Sequence, residues 1–425
     1  MKPTRKINTF KAFENRNYTL FFCGQSVSQI GTWMQRTAVS WVVYSITHSA
    51  FMLGLTVFAS QFPAFLLTLY GGIISDRFNR HKILYITQTA SMLQSLLLAV
   101  LVLTNHYNIT LILILSTILG IINAFDVPAR QPLVHELVRN KDDLPNALAL
   151  NSAMVNMARL LGPALSGIVL QKFGAGICFM LNAISFVAVL ISLLLLKLPP
   201  YVRSATKKSI KTELSDGYQY MKRTPSIGLI VLMLSIVSLL VMPYDTLIPV
   251  FTKVIFNGDA ATYGYICSFM GLGAISATLF LASAKKGTDL KKVLLFATII
   301  WGAGLICFSH IQHFALAMVF AAMAGFGSNS QSTICITLVQ VQADPSMRGR
   351  MISYVAMAIF GMLPLGSLVT GFVSQKIGAP NTMLIQGIIA LIVAFMIFSF
   401  LRKNKLDEEK QTELAAAENA LAEEM

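Results

Sequence analysis

The feature that most constrains this chain is its division into apolar blocks of about 18 to 25 residues, the length a helix needs to cross the hydrocarbon of a bilayer. Twelve blocks are read, at 18–44, 51–70, 83–103, 109–125, 147–170 and 177–197, then 227–250, 262–284, 293–309, 314–341, 351–373 and 382–401. Lipid offers a backbone no hydrogen-bond partners, so each block is predicted to be an α-helix rather than a loop or an open strand. The short alternating segments of a transmembrane barrel are missing. Only 12% of the 425 residues are charged, roughly half the share of a soluble domain.

The formal net charge of +14 would suit a nucleic-acid binder, but its placement argues against one. With the N-terminus inside, the cytoplasmic segments hold 28 of the 33 Lys and Arg residues. Lys172, Lys253 and Lys376 fall outside, and Arg36 and Arg159 lie within spans. This asymmetry is the positive-inside pattern and places both termini in the cytoplasm of a bacterial inner-membrane protein. The five cysteines all sit within spans and form no C-x-x-C pair, so neither a disulfide framework nor a zinc site is expected. No metal and no cofactor is called for. The first sixteen residues lack a cleavable apolar core, and the first span reads as a retained anchor.

The spans divide six and six, giving an N-tail (1–17), a first six-helix half (18–198), a linker (199–225), a second half (226–401) and an acidic tail (402–425). Within the linker, 213–221 reads as a short surface helix. The halves resemble each other. Leu161-Gly162-Pro163-Ala164-Leu165-Ser166-Gly167, followed by Gln171-Lys172-Phe173-Gly174-Ala175, recurs 204 residues later as Leu365-Gly366-Ser367-Leu368-Val369-Thr370-Gly371 and Gln375-Lys376-Ile377-Gly378-Ala379. A weaker echo, at an offset of 210, pairs Arg80-His81-Lys82-Ile83-Leu84 with Leu290-Lys291-Lys292-Val293-Leu294. Parallel repeats place a substrate site between the halves near the bilayer midplane, with rocking as the transport motion.

Between spans two and three, Gly72-Ile73-Ile74-Ser75-Asp76-Arg77-Phe78-Asn79-Arg80-His81-Lys82 resembles the loop signature of the major facilitator superfamily. Asn79 stands where glycine is usual and His81 where Arg or Lys is usual. Asn79 is expected to keep a left-handed turn. The resemblance implies an all-α fold of twelve transmembrane helices in two parallel six-helix repeats. It also implies a cytoplasmic lock made by Gly72, Asp76, Arg77, Arg80, Asp126 and Arg130, which joins the two halves in the outward-facing state, with Asp126 as partner to Arg77 or Arg80. The run from Gly162 through Pro163 to Gly167 is similar to the kinked motif of exporting members, although Ser166 replaces a common glycine. Gly31-Thr32-Trp33-Met34-Gln35, the stretch 124–132, Asn156 to Pro163 and the stretch 344–350 resemble the enterobactin-exporter and macrolide-efflux-like branch. That branch expels siderophores or drug-like molecules with the proton gradient.

Ionisable groups deep in a membrane are costly and usually functional. Arg159 lies about 18 Å into span five, near the midplane, and Arg36 and Asp245 lie about 27 Å into spans one and seven. At the offset of 210, Arg36 corresponds to Thr246, so an Arg36–Asp245 pair is expected as an outer gate or proton switch. Gln25, Gln29, Thr32 and Arg36 form one polar stripe on span one, read either as cavity wall or as helix glue. Asn156 and Asn329 join the expected substrate pathway, while Trp33, Trp41 and Tyr44 read as interfacial belt residues. None of the six histidines lies deep in a span, and there is no P-loop or catalytic triad. The sequence therefore predicts a monomeric, proton-driven exporter of a siderophore or amphipathic drug-like small molecule that is not an enzyme. The alternatives are lysophospholipid or other lipid transport, solute uptake, and a non-transporting receptor or scaffold.

Overall fold

The computed structural model describes residues 10–138, 143–196, 210–285 and 287–399. The acidic tail 402–425, most of the N-tail and the first part of the linker lie outside them. The described chain is helical almost throughout. The long helices are α1 (Arg16–Thr47), α2 (Ala50–Arg77), α3 (Arg80–Leu103), α4 (Ile109–Leu137), α5 (Leu144–Phe173) and α6 (Ala175–Leu195). After a shorter helix α7 (Ile210–Arg223) come α8 (Pro225–Ile255), α9 (Ala260–Ala282), α10 (Leu290–His310), α11 (Phe314–Gln342), α12 (Arg348–Ile377) and α13 (Ala379–Ser399). Ten are long and apolar enough to cross a membrane. The two others, α1 and α11, are as long, but polar residues interrupt their apolar runs, namely the stripe of α1 and Ser328 to Thr333 of α11.

Short connections make successive long helices antiparallel, so all turns lie at a near end, where α1 begins and α7 sits, or at a far end. The prolines inside helices are accommodated in a repeated way. A proline removes the N–H that would bond the carbonyl four residues earlier, and a neighbouring helix covers that carbonyl. Pro128 frees the Ala124 carbonyl, which lies against Gly71, and Pro132 frees the Pro128 carbonyl, which accepts a 3.1 Å bond from Ser75 Oγ. Pro163 frees the Arg159 carbonyl, which faces Gly271 of α9. Because its freed carbonyls are covered, α4 runs twelve residues beyond its expected end at 125. In α8, Pro243 and Pro249 replace the α-helix with a 3₁₀ stretch, Met242–Leu247, and a π turn, Phe251–Ile255.

The first six long helices meet the last six along two seams, α2 on α12 and α5 on α9. The sequence offsets relate the two. Gly167 of α5 packs on Ala260 and Gly264 of α9, and 204 residues on, Gly371 of α12 packs on Ala50 and Gly54 of α2. Ala50 and Gly54 themselves correspond to Ala260 and Gly264 at the offset of 210. A methyl group added at Gly371 would lie 2.6 Å from the Ala50 carbonyl, so only glycine permits this approach.

Two expectations need correction here. Asn79 is not in a left-handed turn. Its φ is −64°, and its side chain caps α3 by accepting from the His81 and Lys82 amides. The linker helix α7 covers the expected 213–221 but is more than a surface helix. Asp216 pairs with Arg350 at 3.1 Å, and Tyr220 Oη accepts from the Asp344 amide at 3.0 Å, which ties it to α12 and the end of α11.

Candidate functional site

The exposure pattern of α5 locates the opening between the halves. Leu148, Ser152, Val155 and Arg159 recur on one face and are all exposed, whereas Gly162, Pro163, Ser166 and Leu170, which continue that face, are buried. A cleft therefore enters from the near end and stops at Arg159. On α1 the stripe behaves in the same sense. Thr32 and Arg36 are exposed, and beyond them the face closes. Gln29 is half-buried and Gln25 is buried, so Gln25 does not line the cleft.

At the head of the cleft four helices converge. Gly162 lies against Trp33 and the backbone of α1, and this close approach brings Arg159, one turn earlier, beneath the indole. The guanidinium carbon of Arg159 lies 5.4 Å from the Trp33 ring centre, and that of Arg36 lies 5.2 Å from the same ring. One indole thus faces two cations, an arrangement favoured by its quadrupole. The 3₁₀ stretch of α8 supplies Asp245, whose carboxylate is 3.5 Å from Arg36, and Tyr244, which is buried edge-on against Trp301. Tyr244, Arg36 and Asp245 all lie within electrostatic reach of Arg159. Two guanidinium groups face one carboxylate, and among the described residues no ion pair involves Arg159. The site is positive and lined with aromatic rings, a surface suited to an anion with flat or unsaturated groups.

Above this level the path is shut. Trp41 stacks on Tyr263 of α9 at 5.8 Å, and Lys253 Nζ sits 4.9 Å from the Trp41 ring centre. Trp33 and Trp41 are therefore interior groups rather than belt residues. An indole is amphipathic enough for either setting, and what decides is which face of α1 the second half covers. The stripe itself extends one turn beyond Arg36 to Ser40, whose hydroxyl donates to the Arg36 carbonyl at 3.2 Å.

Asn156 donates to the Ser152 carbonyl of its own helix, and Asn329 donates to Ala274 O and Thr278 Oγ1 of α9. Both amides are engaged within their own half. Gln35, one position off the stripe, was missed. Its amide donates to Gln94, and its oxygen accepts from Ser95 and Asn182 at 2.7 and 2.8 Å, which welds α1, α3 and α6 together in the core of the first half.

At the near end, Asp126 is 2% exposed and pairs with Arg130, while Thr87 and Gln88 donate to it at 2.9 and 2.7 Å. This corrects the expected pairing with Arg77 or Arg80. Asp126 lies one helical turn before Arg130 on the same face of α4. Arg80 instead bonds Asp76 at 3.2 Å and Glu136 at 2.5 Å, and Arg77 is exposed at the end of α2. These bonds join α2, α3 and α4 within the first half. Gly72 faces open space.

Residues 7–425 match the family described as transmembrane secretion effector. The chain is 28% identical over 403 residues to a staphyloferrin A transporter of Staphylococcus aureus, covering 92% of this chain and 98% of that protein. It is 24% identical over 337 residues to the enterobactin exporter EntS of Escherichia coli O1:K1, covering 77% and 78% respectively. Among solved structures, a bacterial homologue of the human lysosomal transporter Spinster, crystallised facing inward and unoccupied, superposes with a TM-score of 0.70 at 13% identity, over 90% of this chain and 96% of that one. At that identity the likeness speaks for the fold.

Proposed function

The chain belongs to the transmembrane secretion effector family of major facilitator transporters, and from that membership we propose that it is a proton-driven exporter of an anionic, siderophore-class small molecule. It is a multi-pass membrane protein and not an enzyme. In this reading all twelve long helices span the bacterial inner membrane as two parallel six-helix repeats, both termini are cytoplasmic, and a monomer works by alternating access. The near end is then the cytoplasmic end, and the structure is inward-open.

The observation that carries the reading is the pair of arginines on Trp33 at the blind end of the cleft. A greasy cleft would suit a lysophospholipid. A cationic, aromatic one favours an anion, in keeping with relatives named for staphyloferrin A and enterobactin. A scaffold would gain nothing from arginines held at this depth. Asp245 is the proton-linked group. Its carboxylate lies 3.5 Å from Arg36, and separation of α1 from α8 on outer opening would part the two charges. The test is efflux from vesicles with an imposed proton gradient. Asp245→Asn is expected to abolish gradient-driven export while leaving downhill exchange of cargo measurable. Gradient-driven export at the unchanged rate would remove the proton role.

Gly72 tests alternating access. Its Cβ direction is open in this state, so Gly72→Leu should fold with an unaltered melting temperature. Closing the near end would press the added side chain against the second half, and transport is expected to fall by about tenfold or more. Full transport by this variant would show that the α2 end never becomes an interface.

A further inference from the structure

The Gln-Lys motif that ends α5 and recurs at the end of α12 is part of the strongest echo in the chain, yet neither the cleft nor the charge cluster uses it. We propose that Gln171 and Gln375 are positioning residues of the transport cycle, a pair of latches that hold the far end shut and work with opposite hydrogen-bond polarity. Each stands in the last turn of its helix, just before a glycine with φ above 80° (Gly174 and Gly378) that ends the helix. Each reaches across the seam to the first residues of a helix in the other half. Gln171 Nε2 donates to Asp259 Oδ2 at 2.5 Å, while Gln375 Oε1 accepts from Ser49 Oγ at 3.1 Å and from the Ala50 amide at 3.0 Å. Ser49 and Asp259 are the N-caps of α2 and α9 and correspond to each other at the offset of 210. The latches are thus two copies of one device, placed directly outside the two glycine seams.

Their polarity differs because the caps differ. The first N–H groups of a helix have no partner within it. At α2 the Ser49 hydroxyl accepts from Met52, and the Gln375 oxygen satisfies the N–H of Ala50, the first residue of the helix. At α9 the aspartate already accepts from Thr262 in a capping box. These bonds, the Thr262 backbone N–H foremost, hold the Asp259 carboxyl below its ordinary range. It is ionised at neutral pH, so only a donor can bind it, and Gln171 presents its amide. The α5–α9 latch is charge-assisted, and hence the stronger of the two.

This assignment predicts opposite outcomes for the same isosteric change. Gln375→Glu keeps an accepting oxygen and should leave the latch intact, whereas Gln171→Glu sets a carboxylate against Asp259 and should break it. Hydrogen–deuterium exchange of the purified full chain reads this without cargo or proton gradient, so it stands or falls separately from the export reading. In Gln171→Glu, exchange at 168–173 and 260–266 is expected to rise about tenfold. In Gln375→Glu, exchange at 50–56 should stay within about twofold of the parent, and in Gln375→Ala it should rise. Equal behaviour of the two glutamate variants would overturn the proposal. So would a rise spread evenly over all helices, which would mark loss of fold rather than of a latch.

Discussion

Arg159→Ala is expected to abolish most export while leaving the fold intact. The guanidinium sits where the exposed face of α5 ends, 5.4 Å from the Trp33 ring centre, and among the described residues no ion pair engages it. Removing a charged group that meets an anion in a desolvated site costs about 2–4 kcal/mol, which is roughly 30- to 700-fold in affinity. Little stability should be lost, because the packing that fixes α5 here is made by Gly162, Pro163 and Ser166, whose hydroxyl donates to the Met34 carbonyl at 3.1 Å. Arg159→Lys is expected to be intermediate, since it keeps the charge but loses the planar fork and the stacking on the indole. Trp33→Ala should fall with Arg159→Ala, because one ring orients both arginines. Iron-chelating activity released by cells expressing equal amounts of each variant measures the effect. Unchanged release by Arg159→Ala would move the cargo elsewhere.

Asp126→Ala should produce the largest loss of stability from any single substitution considered. Asp126 is 2% exposed, and the side chain of its partner Arg130 is only 23% exposed. Removing one member of a buried pair leaves an uncompensated charge, at about 3–5 kcal/mol, and here Thr87 and Gln88 lose their acceptor as well. The lower end of that range fits the partial exposure of Arg130, and for a chain of 425 residues corresponds to a fall in Tm of about 3 °C. The second substitution makes the test specific. Asp126→Ala combined with Arg130→Leu replaces the pair with apolar groups and should recover much of the loss. If the double variant melts no higher than Asp126→Ala, the stranded charge is not the cause.

The long helices were legible because each depends on a run of apolar neighbours, but their ends were not, since α4 continues to Leu137, beyond the expected 125. The Arg36–Asp245 pair was legible through the repeat offset, which turns a distance of more than 200 residues into one of a single position. The partner of Asp126 was not, since Arg130 shares its face only because α4, with its freed carbonyls covered by α2, stays helical beyond the end expected at 125. Trp33 was misread as well. Its sequence neighbourhood fits a membrane interface, and only the approach of α5 at Gly162 makes its ring the floor for two cations.

By itself, then, the sequence determined that this chain is a bundle of membrane helices, since in lipid every backbone hydrogen bond must close within its own segment and apolar length alone marks where that occurs. Only the tertiary structure decided which end of the cleft is open, which cation faces which carboxylate, and that two glutamines bridge the closed end. Those features rest on separations of a few ångströms between helices far apart in the chain, set by where glycines and freed carbonyls allow backbones to meet.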